Sequence, residues 1–188
     1  MDLDGTLYAG GGPVPGAPEA LGRLRQMEIP YRLVTNTTSR SRAMLVDRLR
    51  GYGFAVSPEE VFTATIAAAE VAREAGYSSV APFVPEPALA DLSGLDLCGG
   101  ISGNPATRNP QAVLVGDLGD RWNYALMQQA FEYLMEGAAL IALSRDRYWL
   151  KDGRLALDAG PFVSGLEFAC GRTALVAGKP SPAFYAAA

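Results

Sequence analysis

The sequence predicts a parallel α/β fold, and three observations predict it. Short runs of Val, Ile and Leu recur between longer segments whose apolar residues follow helical spacing. The connections between these segments are short and marked by Gly, Pro and Asn. At 188 residues with 49% apolar content, the chain is long enough to bury a sizeable core, as one domain or two small ones. Alternation of strand and helix with short connections requires right-handed crossovers between parallel strands.

The elements follow in order. Met1-Asp2-Leu3-Asp4 is the end of a strand, which Gly5-Thr6 breaks. A glycine-rich loop follows over 9–13. Residues 18–28 form a helix with Leu21 and Leu24 on its apolar side. The run 31–35 is a short strand ending in Asn36-Thr37-Thr38, and Ser39 is placed to cap a helix that reaches Gly51 and turns Leu45, Val46 and Leu49 inward. After a turn at Gly53 and Pro58, an alanine-rich helix is expected over 65–76.

The pattern restarts near Tyr77. Strands are expected over 80–84, 112–116, 140–143 and 173–177, with mostly loop over 85–110. In the helix expected over 123–137, Met127, Ala130, Phe131, Leu134 and Met135 make a core stripe at i, i+3, i+4, i+7, i+8. Lys151-Asp152-Gly153 is a hairpin turn between Tyr148-Trp149 and 155–157. Helices follow over 162–169 and 181–188. The expected division is a first unit over 1–77, an inserted α/β unit over 78–173 and a return segment over 174–188. Only Met1 precedes the strand-ending Asp2, and the last helix runs into Ala188, so a chain trimmed at both ends is expected.

Composition removes several functional classes. A net charge of −4 argues against a nucleic-acid or anionic-membrane partner, which would want a basic surface. No apolar run approaches the ~20 residues that span a bilayer, and no signal peptide opens the chain, so a cytoplasmic protein is expected. Cys98 and Cys170 are too few and too far apart for a disulfide framework or zinc knuckle. There is no histidine, which removes Ser-His-Asp and Cys-His nucleophile activation and the usual zinc sites. An aspartate nucleophile or a carboxylate-held hard cation survives that cut.

Asp2 and Asp4 supply such a pair. Two carboxylates at i and i+2 of an extended segment face the same side, an arrangement that suits a cation plus an electrophile. An EF-hand loop counted from Asp2 fails, because Thr6, Leu7 and Pro13 occupy the positions that need an acid, a glycine and a glutamate. Gly178-Lys179-Pro180-Ser181 lacks the upstream glycine of a P-loop. Arg145, Asp146, Arg147 and Lys151 are expected to form a solvated rim.

Asp2-Leu-Asp4-Gly-Thr6-Leu-Tyr8, then Thr35-Asn36-Thr37 after a strand, then Gly178-Lys179-Pro180 far downstream, resemble the first three motifs of the haloacid dehalogenase-like (HAD) hydrolases. The long segment between the second and third motifs resembles the large α/β (C2-type) cap of their NagD-type subfamily. The resemblance covers the whole chain and implies a Rossmann-like core with a parallel sheet plus the inserted cap. It also implies a mechanism. Asp2 is the nucleophile that takes the phosphoryl group, and Asp4 is the general acid and base. Thr35, Asn36 and Thr37 hold phosphate oxygens, and Lys179 adds positive charge in the transition state. Mg²⁺ sits on the Asp2 carboxylate and the Asp4 main-chain carbonyl.

An acid at position 4 fits the phosphatases and phosphomutases of the family. The cap favours a small phosphorylated substrate and, in this subfamily, often mediates homodimers. Residues 158–162 lie where the subfamily often contacts its substrate. The family's fourth motif adds acids that do not occur before Ala188, so weak metal binding and low turnover are expected of these 188 residues. Two alternatives follow: a phosphomutase, or a non-catalytic phosphate-binding or interaction protein with a relic or incomplete site.

Overall fold

The computed structural model describes residues 1–101, 109–151 and 153–188. The predicted loop over 85–110 therefore lies partly, and the predicted turn residue Asp152 wholly, outside the described residues.

The N-terminal part is built on two parallel strands. A small hairpin, β1 (Tyr8–Ala9) with β2 (Gly12–Pro13), precedes helix α1 (Ala17–Gln26). Strand β3 (Leu33–Thr35) leads to helix α2 (Arg42–Gly51), and β4 (Val61–Thr63) returns parallel to β3 with Leu33 opposite Val61. Asp2 bridges Val34 on the other edge of β3. Leu3, Leu21, Leu33, Leu45, Val46, Leu49 and Phe54 close this core. The α2 residues that face inward are those the periodicity predicts. Its cap is Ser41 rather than Ser39: Ser41 Oγ accepts the Met44 N–H at 3.3 Å. Thr38 instead accepts the Asp117 N–H at 3.1 Å, which ties the loop to a distant strand end.

Helix α3 (Ala64–Glu74), capped by Thr63, begins the second layer system. Then come β5 (Ser79–Phe83), β6 (Asp96–Leu97), β7 (Ala112–Val115), α4 (Tyr124–Met135) and β8 (Ala139–Ala142). The antiparallel pair β9 (Tyr148–Lys151) and β10 (Arg154–Leu157), α5 (Ala159–Cys170), β11 (Leu175–Val176) and α6 (Pro182–Ala187) complete the order. Five of these strands form one parallel sheet in the order β11-β8-β7-β5-β6.

Side-chain alternation along these strands sorts the sheet's two faces. Val80, Leu114 and Ile141 face α3 and α6, whereas Ala81, Val113 and Leu140 face α4 and α5. Of the predicted α4 stripe, Ala130 and Leu134 are buried, Met127 and Phe131 are partly covered, and Met135 is exposed. Burial on both faces explains why these strands read as continuous apolar runs.

Packing also bears on the expected boundary at 77/78. Ala64, Ala67, Ala68, Ala69 and Ala72 of α3 lie in the core shared with β5, β7 and β8. Alanines let the helix sit close against the sheet. The return strand β11 pairs with β8 in the same sheet. The five-stranded sheet and its helical cover therefore draw on α3, β11 and α6 as well as on residues 78–173. Among the described residues, no helix is long and apolar enough to cross a membrane.

Candidate active site

In parallel α/β sheets, ligand-binding crevices form at the carboxyl ends of strands. Two such ends face each other here. Asp2, Asp4 and the loop after β3 come from the first sheet; the segments after β7, β8 and β11 come from the second.

Asp2 and Asp4 are held by a tight coil rather than a regular strand. The Leu3 carbonyl accepts N–H groups from Thr6, Leu7 and Tyr8 at 3.2, 2.9 and 3.3 Å. Leu3 is buried while both aspartates are exposed, so the alternation expected of an extended pair survives. Gly5 takes φ of +77°, a conformation that a side chain would disfavour. Below the pair, the Tyr8 phenol is held protonated, its pKa raised by burial and then by the Asp4 charge. The Arg48 guanidinium lies 4.5 Å over its ring.

Lys179 arrives from 177 positions away, and its Nζ donates to Asp2 Oδ1 at 2.6 Å. Gly178 makes that approach possible. A Cβ there would overlap the Leu143 carbonyl oxygen and stand 2.9 Å from Asn36 Oδ1. Thr37 Oγ1 donates to Asp4 Oδ2 at 3.2 Å, and Thr35 Oγ1 donates to Thr37 Oγ1 at 2.9 Å. The second expected motif thus reaches the first through a hydroxyl relay. Asn36 does something different: its carboxamide accepts the Lys179 N–H at 2.8 Å and donates to the Lys179 carbonyl at 3.1 Å.

All six residues singled out in the sequence converge: Asp2, Asp4, Thr35, Asn36, Thr37 and Lys179. Pattern reasoning missed Asp146, whereas Asp158 begins the 158–162 stretch that the family resemblance pointed to. Asp146, expected as solvated rim, accepts from Asn36 Nδ2 at 3.0 Å and from Ser144 Oγ at 2.8 Å. Asp158 caps α5 through the Ala159 N–H at 2.5 Å. Its pKa is pushed up to about 6, first by burial and further by the charges of Asp117 and Asp146, against the pull of that N–H. The signal that could have exposed Asp158 is its position as Asp immediately before a helix.

The donor set suits a hard divalent cation. Asp2 keeps Oδ2 free of hydrogen-bond partners among the described residues, and the Asp4 main-chain carbonyl is a second hard oxygen. No group of three or more acidic or cysteine side chains stands together as a metal cluster among the described residues. Mg²⁺ is commonly held by one or two carboxylates, with water and substrate oxygens completing its shell. A surface cavity of about 650 Å³ lined by Arg25, Glu28, Tyr31, Arg32 and Glu60 lies away from all of this chemistry.

With the geometry in place, likeness to known proteins decides the family. The model of the haloacid dehalogenase-like hydrolases matches residues 1–98. The chain belongs to the haloacid dehalogenase-like hydrolase family. It is 40% identical over 187 residues to haloacid dehalogenase-like hydrolase domain-containing protein 2 of Rattus norvegicus, covering 98% of this chain and 67% of that protein. It is 36% identical to the human phospholysine phosphohistidine inorganic pyrophosphate phosphatase, covering 100% of this chain and 68% of the relative. A glycerol phosphate phosphatase of Mycobacterium tuberculosis, solved with magnesium, superposes with a TM-score of 0.81 at 29% identity, over 99% of this chain and 55% of that one. The chain thus spans about two thirds of the length of these curated relatives. Two of these three relatives are named as phosphatases.

Proposed function

We propose that this protein is a Mg²⁺-dependent phosphatase of a small phosphorylated metabolite, acting through an aspartyl-phosphate. One observation carries this reading: Lys179 and Asp2 meet at 2.6 Å across 177 positions, beside a second aspartate tied to the β3 loop. Asp2 Oδ2 attacks phosphorus, and the bond from phosphorus to the leaving oxygen breaks. Asp4 gives its proton to that oxygen, then takes one from the water that cleaves the aspartyl-phosphate and releases inorganic phosphate. Bound Mg²⁺ would supply charge neutralisation between carboxylate and phosphate, held by Asp2 and the Asp4 carbonyl. Lys179 stabilises charge on the phosphoryl oxygens, and Thr35 and Thr37 line their path. The unit over 78–173 acts as the cap that closes this crevice to bulky partners, and a homodimer through that cap fits the reading.

The test is turnover of p-nitrophenyl phosphate with Mg²⁺. Activity that disappears in Asp2→Asn supports the assignment; absent turnover, or an active Asp2→Asn, sinks it. One observation favours a non-catalytic phosphate-binding protein instead, namely the thin acidic donor set among the described residues. That protein would bind inorganic phosphate with Mg²⁺ present and release no product. A phosphomutase would show phosphate transfer to an added acceptor in the same assay.

A further inference from the structure

We infer that Asn36 and Asp146 are positioning residues for Lys179: the carboxamide holds the lysine's main chain at two points, and a carboxylate from the second sheet holds the carboxamide. The activity arm of this inference rests on the phosphatase reading above; its structural arm does not.

The donor and acceptor count leads to this conclusion. A carboxamide has one oxygen and two N–H donors. The Asn36 oxygen accepts from Lys179 N at 2.8 Å. Its nitrogen donates to Lys179 O at 3.1 Å and to Asp146 Oδ2 at 3.0 Å, so both donors are committed. Exchanging oxygen and nitrogen would set the Lys179 N–H against another donor, so the pattern admits one orientation. No carboxamide donor remains for a phosphate oxygen, so the side chain does not fill the role expected of this residue from its motif.

Asp146 is anchored in turn. Ser144, 1% exposed at the end of β8, donates through Oγ to Asp146 Oδ2 at 2.8 Å and accepts the Asp146 N–H at 3.0 Å. A connected path therefore runs from a buried strand end through Ser144, Asp146 and Asn36 to the residue whose ammonium meets Asp2. Because Asn36 follows β3 and Asp146 follows β8, Lys179 is set correctly only when the two strand ends are together.

Two measurements test this. Hydrogen exchange at the Lys179 amide, followed by NMR, reads the bracket without any need for turnover. Asn36→Ala should remove about tenfold or more of the protection and Asp146→Ala about threefold. In steady-state kinetics Asn36→Ala should lower kcat about 30-fold and Asp146→Ala about fivefold, with KM and the inhibition constant of inorganic phosphate within twofold. The double variant should be no slower than Asn36→Ala alone, because both act through one contact. Asp146→Asn, which keeps a carbonyl acceptor, should recover most of the Asp146→Ala loss.

Unchanged Lys179 protection in Asn36→Ala overturns the inference. So does a raised KM or phosphate inhibition constant at unchanged kcat, which would make Asn36 a ligand. If Asn36→Ala does not fold, Asp146→Ala at its exposed position carries both readouts. A wild-type protein without turnover defeats the phosphatase reading, while the exchange measurement still decides the bracket.

Discussion

Two ion pairs sit at opposite ends of the first sheet, and they are built on opposite plans. Arg25–Glu60 lies at the amino end. Glu60 takes two hydrogen bonds from Arg25 at 2.7 and 2.9 Å, one from Tyr31 at 2.5 Å and one from the Ser57 N–H at 2.7 Å. Its carboxylate is saturated and only 22% exposed. Asp2–Lys179 lies at the carboxyl end. There the lysine is sheltered at 17% exposure, while the aspartate stands 48% exposed with one oxygen unengaged. A saturated acid has nothing left to offer a ligand, so the first pair is architecture. An acid held by one oxygen and half exposed is available for chemistry. The same residue types therefore serve stability or reaction according to which partner is satisfied.

The strongest way to break this contrast is at Asp2. Asp2→Asn should lower phosphate-ester turnover at least ~1,000-fold, because the proposed nucleophile is lost. Thermal stability should barely move, since exposed pairs contribute about 0–1 kcal/mol. A drop of several degrees in Tm would instead make this pair structural. Lys179→Ala comes next, with an expected loss of about 100-fold in kcat from missing charge stabilisation. If that loss appears only in KM, the lysine binds substrate uniformly instead of favouring the transition state.

How much of this was legible beforehand depends on the range of the interaction. Helices α2, α3, α4 and α5 and the central strands were visible, because apolar periodicity is local and these elements bury full faces. The β1–β2 hairpin was read as loop because Gly10, Gly11 and Gly12 mask its pairing, and β4 is only three residues long. The cap of α2 moved from Ser39 to Ser41 because Thr38 and the residues after it are drawn toward β7 by the Asp117 N–H, which no local rule foresees. Asp2, Asp4 and Lys179 were found through motifs whose order encodes proximity. Asp146 was read as solvated rim because its contact with Asn36 joins strand ends that meet only in three dimensions.

At the amino end the expected effects are smaller and fall on stability. Glu60→Ala should cost about 1–2 kcal/mol in urea unfolding at pH 7, with kcat unchanged, because it removes a capping box as well as an ion pair. Burial acts to raise the Glu60 pKa, but the hydrogen bonds from Tyr31, Ser57 and Arg25 outweigh it and leave the value lowered. A lowered folded-state pKa means that the stabilisation is present above the unfolded value and lost as pH falls through the folded one. The gap between wild type and Glu60→Ala should therefore close in acid. A gap that persists unchanged in strong acid would mean that Glu60 acts through packing rather than charge.

Asp158 supplies the smallest effect and a third plan, an acid neither saturated nor free. Its pKa, pushed up to about 6 from the ordinary 3.8, marks a carboxylate whose ionised form is disfavoured in the folded chain. The sign is opposite to that of Glu60: stability falls as pH rises from about 4 to about 6, and the full penalty applies above that. Asp158→Asn keeps an oxygen to cap α5 while removing the charge from the neighbourhood of Asp117 and Asp146. Unfolding at pH 7.5 should then show a gain of about 1 kcal/mol, a figure reduced from the full shift because the side chain is only half-buried. The gain should shrink below pH 6 and vanish near pH 4, where the wild-type carboxyl is already protonated. A pH-independent gain would trace instead to better capping, and a loss at pH 7.5 would mean that the Asp158 charge has a cationic partner.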